Sequence, residues 1–262
     1  MTLKELGSVL VAYSGGVDST FLALVAHKVL GKQALTVTAV SPIYPARELQ
    51  HARKLAKLLN FQHQVIEIDD LHDSSFAINS PDRCYYCKRK LFRRLHQIAT
   101  EMNLRWVVDG ANYDDLNDSR PGMRAAVEQG VESPLCKTEM TKEEIRALSR
   151  KMGLPTWNKP SMACLASRLP YGTPITSEIL ECIGNAEEFL LGLGVKQVRV
   201  RHYNETARIE VDHPSMALLL KSRTRQEVVE RLKELGYTYI TLDLAGYRSG
   251  SMNEVLARNT YG

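Results

Sequence analysis

Long apolar runs are missing from this chain. Across 262 residues the longest, Val9 to Ala12 and the stretch around Leu218, fall far short of the roughly 20 residues that span a bilayer, so no membrane-spanning helix and no membrane partner is expected. No small-residue cleavage site follows the amino-terminal MTLKELGSVLVAYSGG, so a secretory signal is not expected and a cytoplasmic location is. A disulfide framework is lacking too. The five cysteines are an odd number, and in a reducing compartment they read as thiols, metal ligands or catalytic groups. Charge of one sign is barely in excess: 34 Lys and Arg against 30 Asp and Glu leave +4. A nonspecific nucleic-acid binder carries a basic stripe beyond such a surplus, whereas an anionic small molecule needs only a few placed arginines. Internal repeats and low-complexity tracts are absent. What is present, 44% hydrophobic and 24% charged residues, suffices for one large domain or two modest ones.

The first half alternates strand and helix patterns. Strands are predicted at Ser8 to Tyr13, Leu35 to Val40, Gln64 to Ile68 and Trp106 to Asp109, and helices at Asp18 to Leu30, Pro45 to Leu59 and about Tyr86 to Asn103. Such alternation predicts an α/β fold with a mainly parallel sheet, whose ligands sit beyond the carboxyl ends of the strands. A further helical pattern from Thr141 ends at Gly153, and Pro155, Pro160, Pro170 and Pro174 then mark an irregular connection. The domain boundary is placed there, giving residues 1–170 and 171–262. The second domain, with helices at Glu178 to Leu193 and Thr224 to Leu235 and strands at Gln197 to His202, Thr206 to Val211 and Tyr239 to Leu242, reads as small and α+β.

After the first strand comes Ser14-Gly15-Gly16-Val17-Asp18-Ser19-Thr20. A glycine pair lets backbone amides approach an anion, serine hydroxyls add donors, and a helix amino terminus adds a positive dipole end. The plain alternative is a tight turn capped by Ser or Asp. No lysine follows the glycines, so this is not the GxxxxGK[ST] loop. The segment resembles the PP-loop of the ATP pyrophosphatase superfamily, signature SGGxDS, which has a Rossmann-like fold of the adenine nucleotide alpha hydrolase type. The resemblance implies ATP cleaved between its α and β phosphates. It also implies nucleotide contacts from Ser14 to Thr20, with Asp18 as a Mg²⁺ ligand or loop organiser.

Cys84 and Cys87 form CYYC, and Cys164 lies in KPSMACLASRLPYG. A CxxC pair presents two thiolates from one turn, and a third could complete a soft-ligand face for iron and sulfur. Zinc needs a fourth ligand, for which Cys136, Cys182 or a histidine offers no recognisable spacing. A redox pair or packed thiols stay open. Cys182 sits at helical spacing with Ile179, Ile183 and Ala186 and reads as core, while Cys136 is ambiguous.

Together SGGVDST, PDRCYYCKRKLF, DGANYDD with DSRPG, KPSMACLASRLPYG and LDLAGYRSGSMN, spanning about Val9 to Leu256, resemble the LarE family of PP-loop ATP-dependent sulfur transferases. The resemblance implies an enzyme that adenylates a carboxylate of pyridinium-3,5-biscarboxylic acid mononucleotide and converts it to a thiocarboxylate. The product serves the nickel-pincer nucleotide cofactor of lactate racemase. One branch of the family gives up a cysteine sulfur and leaves dehydroalanine. The other holds a four-iron, four-sulfur (4Fe-4S) cluster on three cysteines, and Cys84, Cys87 and Cys164 match that branch, with sulfide or another sulfur donor feeding it. The family assembles as homo-oligomers, often hexamers.

Further residues follow from the resemblance. Gly110 and Asn112 would lie near the nucleotide, although an Asx-rich turn has the same composition; Asp115, Asp118 and Arg120 are weaker candidates. The loop Ala39 to Pro42 would seat adenine. Arg199 and Arg201 alternate on one strand and share a face, and with Arg248 they would bind the anionic substrate, since arginine forks suit phosphate and carboxylate; a salt-bridged exposed face is the alternative. Arg168 would hold substrate or the β and γ phosphates. A cluster-dependent tRNA thiolase and a non-catalytic nucleotide-binding redox sensor are the competing functions. Amidotransferases of the GMP or NAD synthetase type lack support because no glutaminase domain is present.

Overall fold

The apolar segment Val9–Ala12 forms strand β1, and Val9, Leu10 and Val11 are fully buried. A strand covered on both faces reads as a continuous apolar run, not an alternation. In the computed structural model, which describes residues 2–117, 121–248 and 250–253, β1 lies between β2 (Ala34–Val40) and β4 (Trp106–Val108), and β3 (His63–Glu67) extends the sheet beyond β2. Every pairing is parallel, with Val9 opposite both Ala34 and Trp106. The order β3-β2-β1-β4 reverses direction at β1, and the crevice at such a switch point is where α/β sheets bind ligands.

Helices α1 (Val17–Leu30), α2 (Ala46–Leu58), α3 (Arg83–Glu101), α4 (Pro121–Glu128) and α5 (Lys142–Lys151) cover the two faces. On one, Phe21, Leu22 and Ala26 pack with Val9, Val11, Ala52, Ala56 and Ile145; on the other, Phe92, Leu95, Ile98 and Ala126 pack with Leu10, Val37 and Ile66. The expected parallel α/β architecture is therefore present. Helix α3 starts at Arg83, ahead of the predicted Tyr86, which puts CYYC within its first two turns. Asp118 and Arg120 lie outside the described residues.

The chain forms two compact units, one running to Phe76 and from Ser80 to Met162, the other made of Ala77–Asn79 and the chain from Ala163 on. The division therefore falls before Cys164, not at Tyr171. Asn79 explains the small excursion: its Nδ2 donates to the carbonyls of Pro170 at 2.7 Å and Thr173 at 2.9 Å. In the second unit β5 (Val198–Tyr203) pairs antiparallel with β6 (Thr206–Val211), and β6 pairs parallel with β7 (Tyr239–Leu242). Helices α6 (Ser177–Gly192), α7 (His213–Leu219) and α8 (Ser222–Glu234) complete it. Its core gathers Ala186 and Leu190 with Val198, Val200, Ile209 and Leu232, and Cys182 packs at the edge. No helix among the described residues is long and apolar enough to cross a membrane.

Candidate active site

Past β1 the backbone turns through the glycine pair into α1. Gly15 has φ +71, and a Cβ there would meet the Cα of Ala52 on α2 at 3.0 Å, so both conformation and space demand glycine. Gly16 is the extended residue ahead of α1, and no side chain caps the first helical amides. Unsatisfied amides at a helix start are anion donors. The Ser14 and Ser19 hydroxyls stand 3.1 Å apart, and Ser19 Oγ accepts from the Ser14 amide at 3.3 Å, bracing the loop. Val17 and Thr20 are buried, and the Thr20 amide donates to the Gly16 carbonyl at 3.0 Å.

The loop after β4 reaches the same place. A Cβ on Gly110 would lie 2.9 Å from the Ser19 nitrogen, so the two loops touch only because residue 110 has no side chain. Asn112 is buried and held locally: its Oδ1 accepts from the Asp114 amide at 3.0 Å, its amide donates to Asp115 Oδ2 at 3.0 Å, and its carbonyl accepts from the Cys136 thiol at 2.9 Å. The Asx turn that the composition allows is what the Asn112 side chain makes. Cys136 is further disfavoured as a thiolate, because burial first, then Asp109 and Asp115, push it up to about 11. Ser41, in the loop after β2, is buried.

Two lysines that sequence reasoning passed over converge here. Lys142, the first residue of α5, pairs with Asp18, whose other oxygen, Oδ1, is buried without a hydrogen-bond partner. Lys159 Nζ donates to the Gly15 carbonyl at 3.2 Å and to Glu48 Oε2 at 2.8 Å. The usable signal for Lys142 was local: Thr141 and Glu144 form a capping box, which fixes the helix start and hence the direction of its first side chain.

In the second unit Cys164 precedes the turn Leu165–Arg168. Arg168 is fully buried. Its Nε and Nη2 grip Glu187 at 2.8 Å each, and its Nη1 donates to the carbonyls of Ala163 and Cys164 at 2.7 Å each. Glu187 also accepts from the Val200 amide at 3.0 Å, which ties the Cys164 turn to α6 and β5. Arg199 and Arg201 are buried, unlike an exposed salt-bridged face: Arg199 lies 5.1 Å over the Tyr247 ring, and Arg201 bonds Glu210 at 2.7 Å and the Ser167 carbonyl at 3.0 Å. Burial, then the neighbouring Arg168 charge, lower the Arg199 pKa, and Arg201 Nε is buried without a partner. Arg248 stands 3.9 Å from Asp243 and is more exposed.

Comparison with known proteins gives the family. A family model described as NAD synthase matches residues 2–97, the stretch from before β1 to within α3. Over 257 residues, 98% of this chain and 92% of the other, the protein is 39% identical to the pyridinium-3,5-bisthiocarboxylic acid mononucleotide synthase of Lactiplantibacillus plantarum. The chain belongs to the LarE family of PP-loop sulfurtransferases. An uncharacterized protein of Synechocystis sp. is 42% identical over 97% of this chain and 95% of its own. The glutamine-hydrolyzing GMP synthase of Aeropyrum pernix is 27% identical over only 70% of this chain and 40% of its own.

The cysteines differ in setting. Cys84 is exposed and Cys87 half-buried, one turn apart on α3 and so on one helix face. Cys87 hydrogen-bonds the buried carboxyl of Asp70, which burial raises above its ordinary pKa. Within either unit, among the described residues, no three His, Cys, Asp or Glu side chains gather as a metal site. Cys182 donates to the Leu235 carbonyl at 3.2 Å, and burial raises its pKa.

Proposed function

We propose that this LarE protein uses ATP to activate a carboxylate of pyridinium-3,5-biscarboxylic acid mononucleotide and replaces one carboxylate oxygen by sulfur. The observation that carries the ATP step is the uncapped start of α1 behind Gly15 and Gly16, with Gly110 pressed against it. A substrate carboxylate oxygen attacks the α-phosphorus, pyrophosphate leaves into the amides of residues 16–19, and a sulfur nucleophile then displaces AMP from the acyl carbon. Ser14 and Ser19 add hydroxyl donors. The orphaned buried Oδ1 of Asp18 fits a Mg²⁺ ion, which prefers oxygen ligands shared with phosphates.

Arg199, Arg201 and Arg248 would bind the mononucleotide. Supporting this, the buried guanidinium groups of Arg168 and Arg199 crowd one another and Arg201 keeps an unpaired Nε, conditions that an anion relieves. Arg168 has its Nη1 and both Glu187-facing nitrogens committed to its own chain, so its part is to position the Cys164 turn.

For the sulfur, the donor set fits the cluster branch: two thiols on one helix face and a third at a turn are soft ligands of the type iron–sulfur clusters take. Cys84, Cys87 and Cys164 would hold it, and the cluster would supply the sulfur that replaces the carboxylate oxygen. The product is a thiocarboxylate for a nickel-pincer cofactor. The test is incubation with ATP, Mg²⁺, the dicarboxylate mononucleotide and sulfide under anaerobic conditions. Pyrophosphate release with an oxygen-for-sulfur mass change is expected. Substrate-independent inertness, or stoichiometric conversion of Cys164 to dehydroalanine, overturns the ATP step or the cluster route respectively.

A further inference from the structure

Glu48 and Lys159 form an ion pair at the lip of the phosphate loop that the proposed chemistry does not use. The two side chains are only 19% and 16% exposed. They come from the first turn of α2 and from the chain beyond α5, and Lys159 Nζ, bonded to Glu48 Oε2 at 2.8 Å, also donates to the Gly15 carbonyl at 3.2 Å. Arg47 Nε stands 3.8 Å from the other Glu48 oxygen, so the carboxylate is anchored from both sides.

That carbonyl belongs to the peptide joining the two glycines. In a trans peptide the C=O and N–H point in opposite directions, so fixing the Gly15 oxygen also fixes the Gly16 N–H, which faces Ser14 Oγ at 3.4 Å. A glycine on each side removes the Cβ contacts that would otherwise hold such a peptide, so the loop that most needs a set orientation has least steric means of keeping it. The Lys159 stem is itself flexible, and an acceptor on one side and a carboxylate on the other hold it in place.

We propose that Lys159, held by Glu48, is a positioning residue that sets the Gly15–Gly16 peptide and, through the Gly16 N–H bond to Ser14 Oγ, the Ser14 hydroxyl beside bound phosphate. This rests on reading the loop as the pyrophosphate site. A lysine that bound phosphate directly would behave differently, because releasing it from Glu48 would strengthen binding or leave it unchanged. A positioning lysine loses its hold when Glu48 is neutralised.

The test titrates the full-length protein with magnesium pyrophosphate and, separately, with AMP, by calorimetry, in wild type, K159M, K159R and E48Q. K159M and E48Q are each expected to weaken pyrophosphate by about tenfold, the worth of one charge-assisted hydrogen bond, and AMP by less than about twofold. K159R keeps a donor for the carbonyl and a cation for Glu48 and is expected within about threefold of wild type. Weakening in K159M with unchanged or tighter binding in E48Q overturns the proposal in favour of direct contact. Wild-type affinity in both variants, or equal loss of both ligands, overturns it as well. If K159M does not fold, E48Q against K159R decides in the same way. Absence of pyrophosphate binding by the wild type would instead overturn the phosphate-site reading itself.

Discussion

At the scale of single residues, Arg168 shows how burial reassigns a side chain. Its neighbourhood in sequence, four residues past a cysteine and beside serine, points toward substrate or phosphate, yet its donors end on Glu187, Ala163 and Cys164. Arg168→Met is expected to destabilise the protein by about 3–5 kcal/mol, because Glu187 is left charged and buried without its partner. A fall in Tm together with faster alkylation of Cys164 would check this; a loose Cys164 turn at unchanged Tm would not fit. Cys136 supplies a pH test. Its folded value of about 11 exceeds the ordinary 9.0, so between these the unfolded chain gives up the proton while the folded one keeps it. Its contribution is therefore full below about pH 9 and lost as pH rises toward 11. Urea unfolding from pH 8 upward should show a stability decline that Cys136→Ala makes shallower.

Among elements, the close approach of the β4 loop to α1 is the sharpest constraint. Gly110→Ala places a methyl 2.9 Å from the Ser19 nitrogen, and is expected to cost about 1–3 kcal/mol as overpacking while weakening ATP binding. Calorimetry with ATP and a thermal melt measure both. Thr141→Ala removes the cap that starts α5 and is expected to lower stability by about 1 kcal/mol, read by chemical denaturation. The long elements were legible because Val9–Ala12 is a plain apolar run and α1, α2 and α6 have helical spacing across three or more turns. The one-turn helices Ser74–Ala77 and Pro134–Lys137 were not, since four residues cannot display a period of 3.6. The early start of α3 is hidden for a related reason: Arg83 and Cys84 carry no apolar periodicity, whereas the fold buries Arg83 and the Tyr86 amide bonds the Asp82 carbonyl.

For the whole molecule, ligand linkage gives the broadest test. Magnesium pyrophosphate bound to the folded chain alone should raise Tm with concentration, and Asp18→Asn should abolish most of that rise. The cysteine assignment is also molecular in scale, since Cys84 and Cys87 belong to one compact unit and Cys164 to the other. Anaerobic protein should carry iron and sulfide, and Cys84→Ala, Cys87→Ala and Cys164→Ala should each lose them; iron retained by any one of the three removes that residue from the set.

The amino-acid sequence alone determined the parallel α/β class, the glycine loop ahead of α1 and the CxxC pair, because each is written in neighbouring residues: apolar runs, a glycine pair before a helix, two cysteines three apart. Only the tertiary structure decided that Lys142 and Lys159 reach Asp18 and Gly15, that Gly110 must be bare, and that the Cys164 turn and Arg168 belong with the second unit. Those facts depend on contacts between segments far apart in the chain, where side-chain type says what a residue can bond but folding chooses the partner.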